Sequence, residues 1–347
     1  MRIGDAKTSY IADEMIFDTP VRRAWFAALI VAILVFPLIG NDYTIYLACL
    51  VAINVISATG LNILTGFTGQ ISLGQAAFMG IGGYTVAVLA SRWGVPFILT
   101  LPLAGLASAA FGVLVGLPSL RVKGLYLAIA TLAASVIAHF VFAHWDPVTG
   151  GIGGLQVPPA DLFGLVLGDD RSMYWLIMGV AVIACMGARN LFRTRVGRAF
   201  IAIRDRDISA EVLGIDLLRW KLYAFALSSF YAGVAGGLFA YFFRVVTPES
   251  FPLTMSIFFL AAIIVGGMGS ILGGILGAIF MTLVPEALRF VTTMVTPFYP
   301  QAPVVLSPMR EVIFGLLIVL FLIFEPHGLA EMWRRLRRFF HLWPFRT

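Results

Sequence analysis

Charge is what this chain of 347 residues has least of. Only 12% of it is Asp, Glu, Lys or Arg, about half the share found in soluble domains, while 60% is hydrophobic. A water-soluble fold is excluded, and most of the chain belongs in lipid. Cysteine is nearly absent. Cys49 and Cys185 both sit inside apolar runs, as small packing residues do, which excludes a disulfide framework or a cysteine metal site. No G-x-x-x-x-G-K-[ST] occurs, so the chain has no nucleotide-binding loop of its own. No His, Asp and Glu cluster falls at catalytic or metal-ligand spacing, which argues against a membrane enzyme. A secretory leader is missing too: residues 1–23 are polar and the first apolar run lacks a small-residue exit, so a native, cytosolic amino terminus is expected.

What the chain does have is long apolar runs. A bilayer core takes about 20 apolar residues per helix. Ten windows qualify: 24–39, 44–64, 75–90, 97–117, 125–142, 173–188, 222–243, 253–267, 270–285 and 312–324. With the amino terminus inside, the inner segments hold 19 of the 24 Lys and Arg residues and the outer ones hold 5, the bias of the positive-inside rule. The net charge of +6 therefore reads as topology and not as nucleic-acid affinity. The expected fold is an all-α polytopic membrane protein of about ten transmembrane helices, some short or broken, with one cytoplasmic helix. Residues 1–23 form a cytoplasmic segment, 24–324 the transmembrane domain and 325–347 a basic cytoplasmic tail.

No Asp, Glu, Lys or Arg falls inside a window; Glu286 sits at the end of the ninth. Ion-coupled carriers need ionisable groups at membrane depth, and here only His139 stands out, expected as a packed, hydrogen-bonded residue. Energy for any movement of solute must come from elsewhere. The third, eighth, ninth and tenth windows have apolar stretches of only 13–16 residues. They read as tilted helices with polar ends or as half-helices that stop in the membrane.

Two segments are rich in glycine. Gly60 to Tyr84 carries the uncharged polar residues Asn62, Thr65, Thr68, Gln70, Ser72 and Gln75, with Gly66, Gly69 and Gly74 among them. Two readings stand side by side: a broken element near a translocation path, which must be enclosed by protein or line a cavity, or an ordinary cytosolic turn. In Gly266 to Phe280, Gly269, Gly273 and Gly277 recur every four residues. One helix face carrying all three makes a close-packing seam, either within the chain or at a subunit interface. The longest outer loop, 143–172, is turn-rich around VTGGIGGLQVPP.

The inner segment 189–221 holds eight basic and four acidic residues. From Ala199 a helix is expected, with Ile201, Ile208, Val212 and Ile215 as its apolar stripe. Arg204, Asp205, Asp207 and Glu211 occupy its other side, Gly214 closes it, and Asp216 caps the following span. Such a helix lies in the headgroups or docks a cytosolic partner. Its mixed charge favours docking, since a lipid-surface helix is more uniformly basic.

These residues carry a resemblance. LNILTGFTGQISLGQAAFMGIGGY, GLYLAIATLA, VGRAFIAIRDRDISAEVLGID, KLYAFALSSFYAGVAGGLFAY and VGGMGSILGGILGA resemble, in order, the permease subunits of bacterial ABC importers for branched-chain amino acids, of the LivM type, over residues 44–330. The resemblance implies that a cytoplasmic helix seats in a groove of an ATPase. The loose consensus is E-A-A-x-x-x-G. Ala210 and Gly214 match it, Ser209 stands for the first alanine, and Ile208 replaces the glutamate. Coupling residues implied are Arg198, Arg204, Asp205, Asp207, Ser209, Ala210, Glu211 and Gly214. Translocation-path candidates are Asn62, Thr65, Gly66, Gln70, Ser72 and Gln75. A second departure lies near Gly153, where the family often has Asn or Asp. Also implied are a bacterial inner-membrane location with both termini inside, a second homologous permease, two ATPase subunits that use ATP, and a periplasmic binding protein. The chain itself would bind no cofactor, metal or nucleic acid, and would meet membrane lipid. Urea, amides or other amino acids remain alternative solutes, and an ion-coupled carrier is the rival class.

Overall fold

The computed structural model describes residues 20–119, 124–162, 164–295, 312–313, 315–316, 318–321, 323–325 and 328–342. Most of the expected amino-terminal segment, the loop 120–123, part of the tenth window and residues 343–347 lie outside the described residues. The chain divides into two units, Met1–Leu47 and Ala48–Thr347.

The first unit holds helix α1, Pro20–Ile39, and the start of α2, Asp42–Leu61. Pro20 opens α1 where a missing N–H leaves no helical bond unmade. Gly40 closes it with a bond to the Phe36 carbonyl, 2.8 Å. Leu34, Leu38 and Ile39 are exposed, as side chains facing hydrocarbon are. Asp42 lies in the first turn of α2, where a negative charge meets the positive end of the helix dipole.

The second unit continues with α3, Gln75–Trp93; α4, Phe97–Ser119; α5, Leu125–His144; α6, Asp170–Leu191; α7, Arg195–Asp205; α8, Asp207–Val212; α9, Leu217–Phe243; α10, Leu253–Gly266; α11, Ile271–Val295; and α12, Gly328–Leu342. Among the described residues seven helices are long and apolar enough to cross a membrane: Asp42–Phe67, α4, α5, α6, α9, Pro248–Gly266 and Ile271–Met294. The windows from 24–39 to 270–285 each fall on a helix. However, α1 offers only a shorter apolar stretch, Ile30–Ile39, and α3 is diluted by Gln75, three glycines, Ser91 and Arg92. The ninth window is corrected. Its helix does not end at 285 but runs through Pro285 to Val295 and carries Glu286 and Arg289, which pair at 3.9 Å. His139 is corrected too. α5 buries Leu127, Ala128, Thr131, Ser135, Ala138 and Phe142, a stripe that His139 misses, and the residue is exposed.

α9 lies against α3 and α4 along most of its length. In lipid, water does not drive helices together, so dispersion between closely approaching backbones must hold them. Small residues sit at each crossing. A side chain at Gly82 would meet the backbone of Gly233, one at Gly236 that of Met79, and one at Gly112 the side chain of Ser229. Some buried hydroxyls bridge these helices: Thr100 Oγ1 and Tyr241 OH share a 2.7 Å bond, and Ser108 Oγ donates to the Phe78 carbonyl.

The connecting segments gather in two groups. In one, Arg92 donates to the carbonyls of Pro147 and Val148, β1 (Leu155–Gln156) pairs with β4 (Val245–Val246), and Arg244 donates to Gly168 O. A hairpin of β2 (Ala160–Leu162) and β3 (Leu165–Leu167) completes this end. In the other, Gly66, Gly69, Arg204, Gly269 and Gly328 belong to segments that touch. The first group joins segments expected outside, the second segments expected inside.

Candidate functional site

α2 does not stop at Leu61. It widens into a π-helix, Asn62–Phe67, every residue of which is buried. Widening frees carbonyls that an α-helix would use, and nearby groups take them up. Thr68 Oγ1 donates to Ile63 O at 2.9 Å, the Gln70 N–H to Leu64 O at 3.1 Å, and Arg204 Nη1 to Gly66 O at 3.2 Å. A cation at the carbonyl end of a helix is favoured by the dipole as well as by the bond. Asn62 anchors the start of the widened turn: its Oδ1 accepts from the Gly269 N–H at 3.0 Å and its Nδ2 donates to Ser270 O at 2.7 Å. Gly66 fits this corner because a Cβ there would collide with Asn62 Oδ1 and Gly269 N.

After the π-helix the chain runs as irregular backbone to α3. Leu73 N–H donates to Thr131 Oγ1 and Ala76 N–H to Ser256 Oγ, each 2.9 Å. Ser256 lies ten residues before Gly266 on α10, about 15 Å along the axis at 1.5 Å per residue. α3 thus begins well inside the helix packing, far from the turn that Asn62 holds. Of the two readings of 60–84, burial of the polar side chains favours the enclosed break over the ordinary cytosolic turn: Asn62, Thr65, Thr68, Gln70, Ser72 and Gln75 are all 5% exposed or less, while Gly69 and Ile71 between them are exposed. Irregular backbone at membrane depth is tolerated where protein encloses it, and here the polar side chains are enclosed.

Some of these polar groups are spent on the fold. Thr65 Oγ1 donates to Gln70 O at 3.0 Å, Ser72 Oγ accepts from Gly74 N–H at 3.2 Å, and Gln75 Nε2 donates to Ser57 O and Oγ, each at 2.9 Å. Others are not. Both polar amide atoms of Gln70, together with Gln75 Oε1 and Ser228 Oγ, are buried and make no hydrogen bond among the described residues. A buried orphan of this kind costs about 1–3 kcal/mol, so three of them on neighbouring glutamines call for a functional explanation.

The cytoplasmic helix expected from Ala199 is two helices. Arg206 is extended (φ −158°, ψ 104°) and breaks them, so Ile201, Ile208, Val212 and Ile215 do not share one face. α7 buries Gly197, Ala199, Phe200 and Ile203 instead. α8 buries Ala210, while Ile208, Val212 and Leu213 are 71–83% exposed. Arg204 is 37% exposed, yet its guanidinium reaches back to the end of the π-helix. Besides its bond to Gly66 it pairs with Asp205 at 3.1 Å. Its stem lies on Gly69, and a Cβ at Gly269 (φ +75°) would be 2.6 Å from Nη1. Phe192 adds a second link, stacking on Phe67 with ring centroids 3.5 Å apart. Arg198, Asp205, Ser209 and Glu211 are exposed, whereas Asp207 lies within 4.0 Å of Lys221. Gly214 ends α8 with φ +85°, and Asp216 Oδ1 accepts from Arg219 N–H, capping α9.

Gly269 is corrected as well: it lies in the α10–α11 turn and not on a helix face. Gly273 and Gly277 do lie on α11, where added side chains would strike the carbonyls of Gly267 and Ala262. Their seam is within the chain, not between subunits. Ser57, Phe67, Phe192 and Ser270 carried no sequence signal of their own; they join the site through partners far away in the chain.

Residues 43–322 match the family model described as "Branched-chain amino acid transport system / permease component". The chain is 34% identical over 341 residues to the high-affinity branched-chain amino acid transport system permease protein LivM of Escherichia coli, spanning 91% of this chain and 77% of that protein. It is similar to the same extent to LivM of Salmonella typhimurium, and 27% identical over 67% of each chain to a probable LivM of Methanocaldococcus jannaschii. No solved structure gives a significant match. With its apolar helices, its enclosed polar break and its clipped pair of short helices, the chain belongs to the branched-chain amino acid transport permease family of multi-pass membrane proteins.

Proposed function

We propose that the chain is the membrane-spanning permease subunit of an ATP-binding-cassette importer in the bacterial cytoplasmic membrane, carrying branched-chain amino acids, with both termini inside. It works with a second homologous permease, two cytoplasmic ATPase subunits that bind and hydrolyse ATP, and a periplasmic binding protein. Segment 189–221 is the coupling segment. Family membership supports the class, and the bond from Arg204 to Gly66 O carries the mechanism.

The exposed residues Ile208, Val212 and Leu213, with Glu211 among them, offer the ATPase an apolar patch with a charged neighbour. Closure of the ATPase pair pulls α7 and α8 as one body. Arg204 passes that displacement to the π-helix end, and the Phe67–Phe192 stack does so in parallel. Asn62 ties the same corner to the α10–α11 turn. The moving piece is therefore the buried break that carries Gln70 and Gln75. Their unfilled donor and acceptors suit a small zwitterion, which needs hydrogen bonds but no counter-charge when the binding protein has already selected it.

The test separates docking from transmission in proteoliposomes holding the complete transporter. Ile208→Asp with Val212→Asp is expected to lose the ATPase subunits on purification. Arg204→Gln is expected to keep them and to hydrolyse ATP, with uptake at least tenfold lower. Normal uptake by Arg204→Gln, or uptake by this chain alone driven by a proton gradient, would sink the proposal.

A further inference from the structure

α12 differs from the other described helices. In Gly328–Leu342 the spacing puts Met332, Leu336 and Phe339 on one face with Trp333 beside them, while Arg334, Arg337 and Arg338 share the opposite face. Met332, Trp333, Leu336 and Phe339 are 45–54% exposed. Glu331 pairs with Arg334 at 2.8 Å and Glu325 with Arg335 at 3.3 Å. Among the described residues Arg337 and Arg338 have no ion pair.

The first turn of α12 is fixed. Ala330 is buried. Gly328 (φ +76°) approaches the α10–α11 turn so closely that a Cβ would lie 2.5 Å from the Gly267 nitrogen. The helix therefore leaves the membrane-crossing body at one end of α10, where the bilayer surface must lie. An exposed apolar face and an arginine-rich face on a helix held at that surface match the interfacial class of amphipathic helix. Contrast α8, whose mixed charges suit a protein groove. Here the polar face is almost uniformly basic, complementary to phosphate headgroups of negative net charge.

We propose that α12 is a binding surface for anionic phospholipid, with Met332, Leu336 and Phe339 entering the headgroup–acyl boundary and Arg334, Arg337 and Arg338 meeting the lipid phosphates. Tethering raises the effective concentration of lipid, so modest intrinsic affinity suffices. Because its first turn closes on Gly267, lipid charge sets the position of the turn that Asn62 and Arg204 also touch.

The arginines supply their own probe. The complete chain is placed in phosphatidylcholine vesicles with 0 or 30 mol % phosphatidylglycerol, and trypsin cleavage after Arg334–Arg338 is timed by mass spectrometry. Anionic lipid is expected to slow cleavage at least tenfold at low salt, with the effect lost in 0.5 M salt, since exposed charges are screened. Leu336→Glu with Phe339→Glu keeps every cleavage site and is expected to abolish protection. Arg337→Gln with Arg338→Gln keeps the sites at 334 and 335 and is expected to weaken protection and its salt dependence. Equal cleavage in both vesicles, equal protection by pure phosphatidylcholine, or protection only when ATPase subunits are added would overturn the proposal.

Discussion

Replacing Gly66 by alanine attacks the corner where three segments meet. The new methyl would occupy the position of Asn62 Oδ1 and crowd the Gly269 nitrogen. Overpacking of this kind costs about 1–3 kcal/mol. Driving Asn62 away also unpairs the Gly269 N–H and the Ser270 carbonyl, each worth about 1–3 kcal/mol when buried. Even the lower ends amount to about 3 kcal/mol, more than a hundredfold in the folding equilibrium. Asn62→Ala loses the same two bonds without the clash, about 2 kcal/mol at the same lower ends. In the double variant the methyl enters space that Asn62 has vacated, and the two bonds are lost only once. The expected cost is therefore about 2–3 kcal/mol and not the additive value near 5, a coupling of about 2–3 kcal/mol between neighbours. SDS-driven unfolding of the purified chain in mixed micelles, followed by circular dichroism, measures all three. Additivity within about 0.5 kcal/mol would refute the shared corner.

Three further predictions follow from how tightly single positions are packed. Gly277→Ala pushes a methyl into the Ala262 carbonyl and should lower stability by about 1–3 kcal/mol. Gly179→Ala on α6, with nothing within 4 Å, should be neutral or gain up to about 1 kcal/mol from helix propensity; the same unfolding assay ranks them. Gln70→Leu removes an amide whose two polar atoms are buried without partners among the described residues. Its stability should hold or rise by about 1–2 kcal/mol while ATP-driven uptake falls at least tenfold. A variant that transports normally would show that the amide serves neither solute nor gate.

The helices were legible because apolar runs of span length have few other fates, and the grouping of segments at two ends follows the distribution of Lys and Arg. Local punctuation was legible too: Gly214 and Asp216 act where they were expected. Contacts across the chain were not. The inward turn of Arg204 depends on a carbonyl 138 residues away, and no periodicity within 199–215 encodes it. A single extended residue, Arg206, resets the helical phase, so a stripe drawn through Ile201 and Ile208 joined residues on separate helices. The depth of α3 depends on Ser256, 180 residues from Ala76. Gly269 kept a four-residue spacing with Gly273 by coincidence of turn and helix, which spacing alone does not distinguish.

The Asn62 bonds also set an order of events during biosynthesis. Their partners lie 207 and 208 residues later, which at about 5–20 residues per second is roughly 10–40 s of translation. For that interval the amide stays in the bilayer without the groups that complete it. The carboxyl-terminal hairpin is thus the latch of the assembly, and a nascent chain stalled before Ser270 presents an unfinished polar surface to the insertion and degradation machinery.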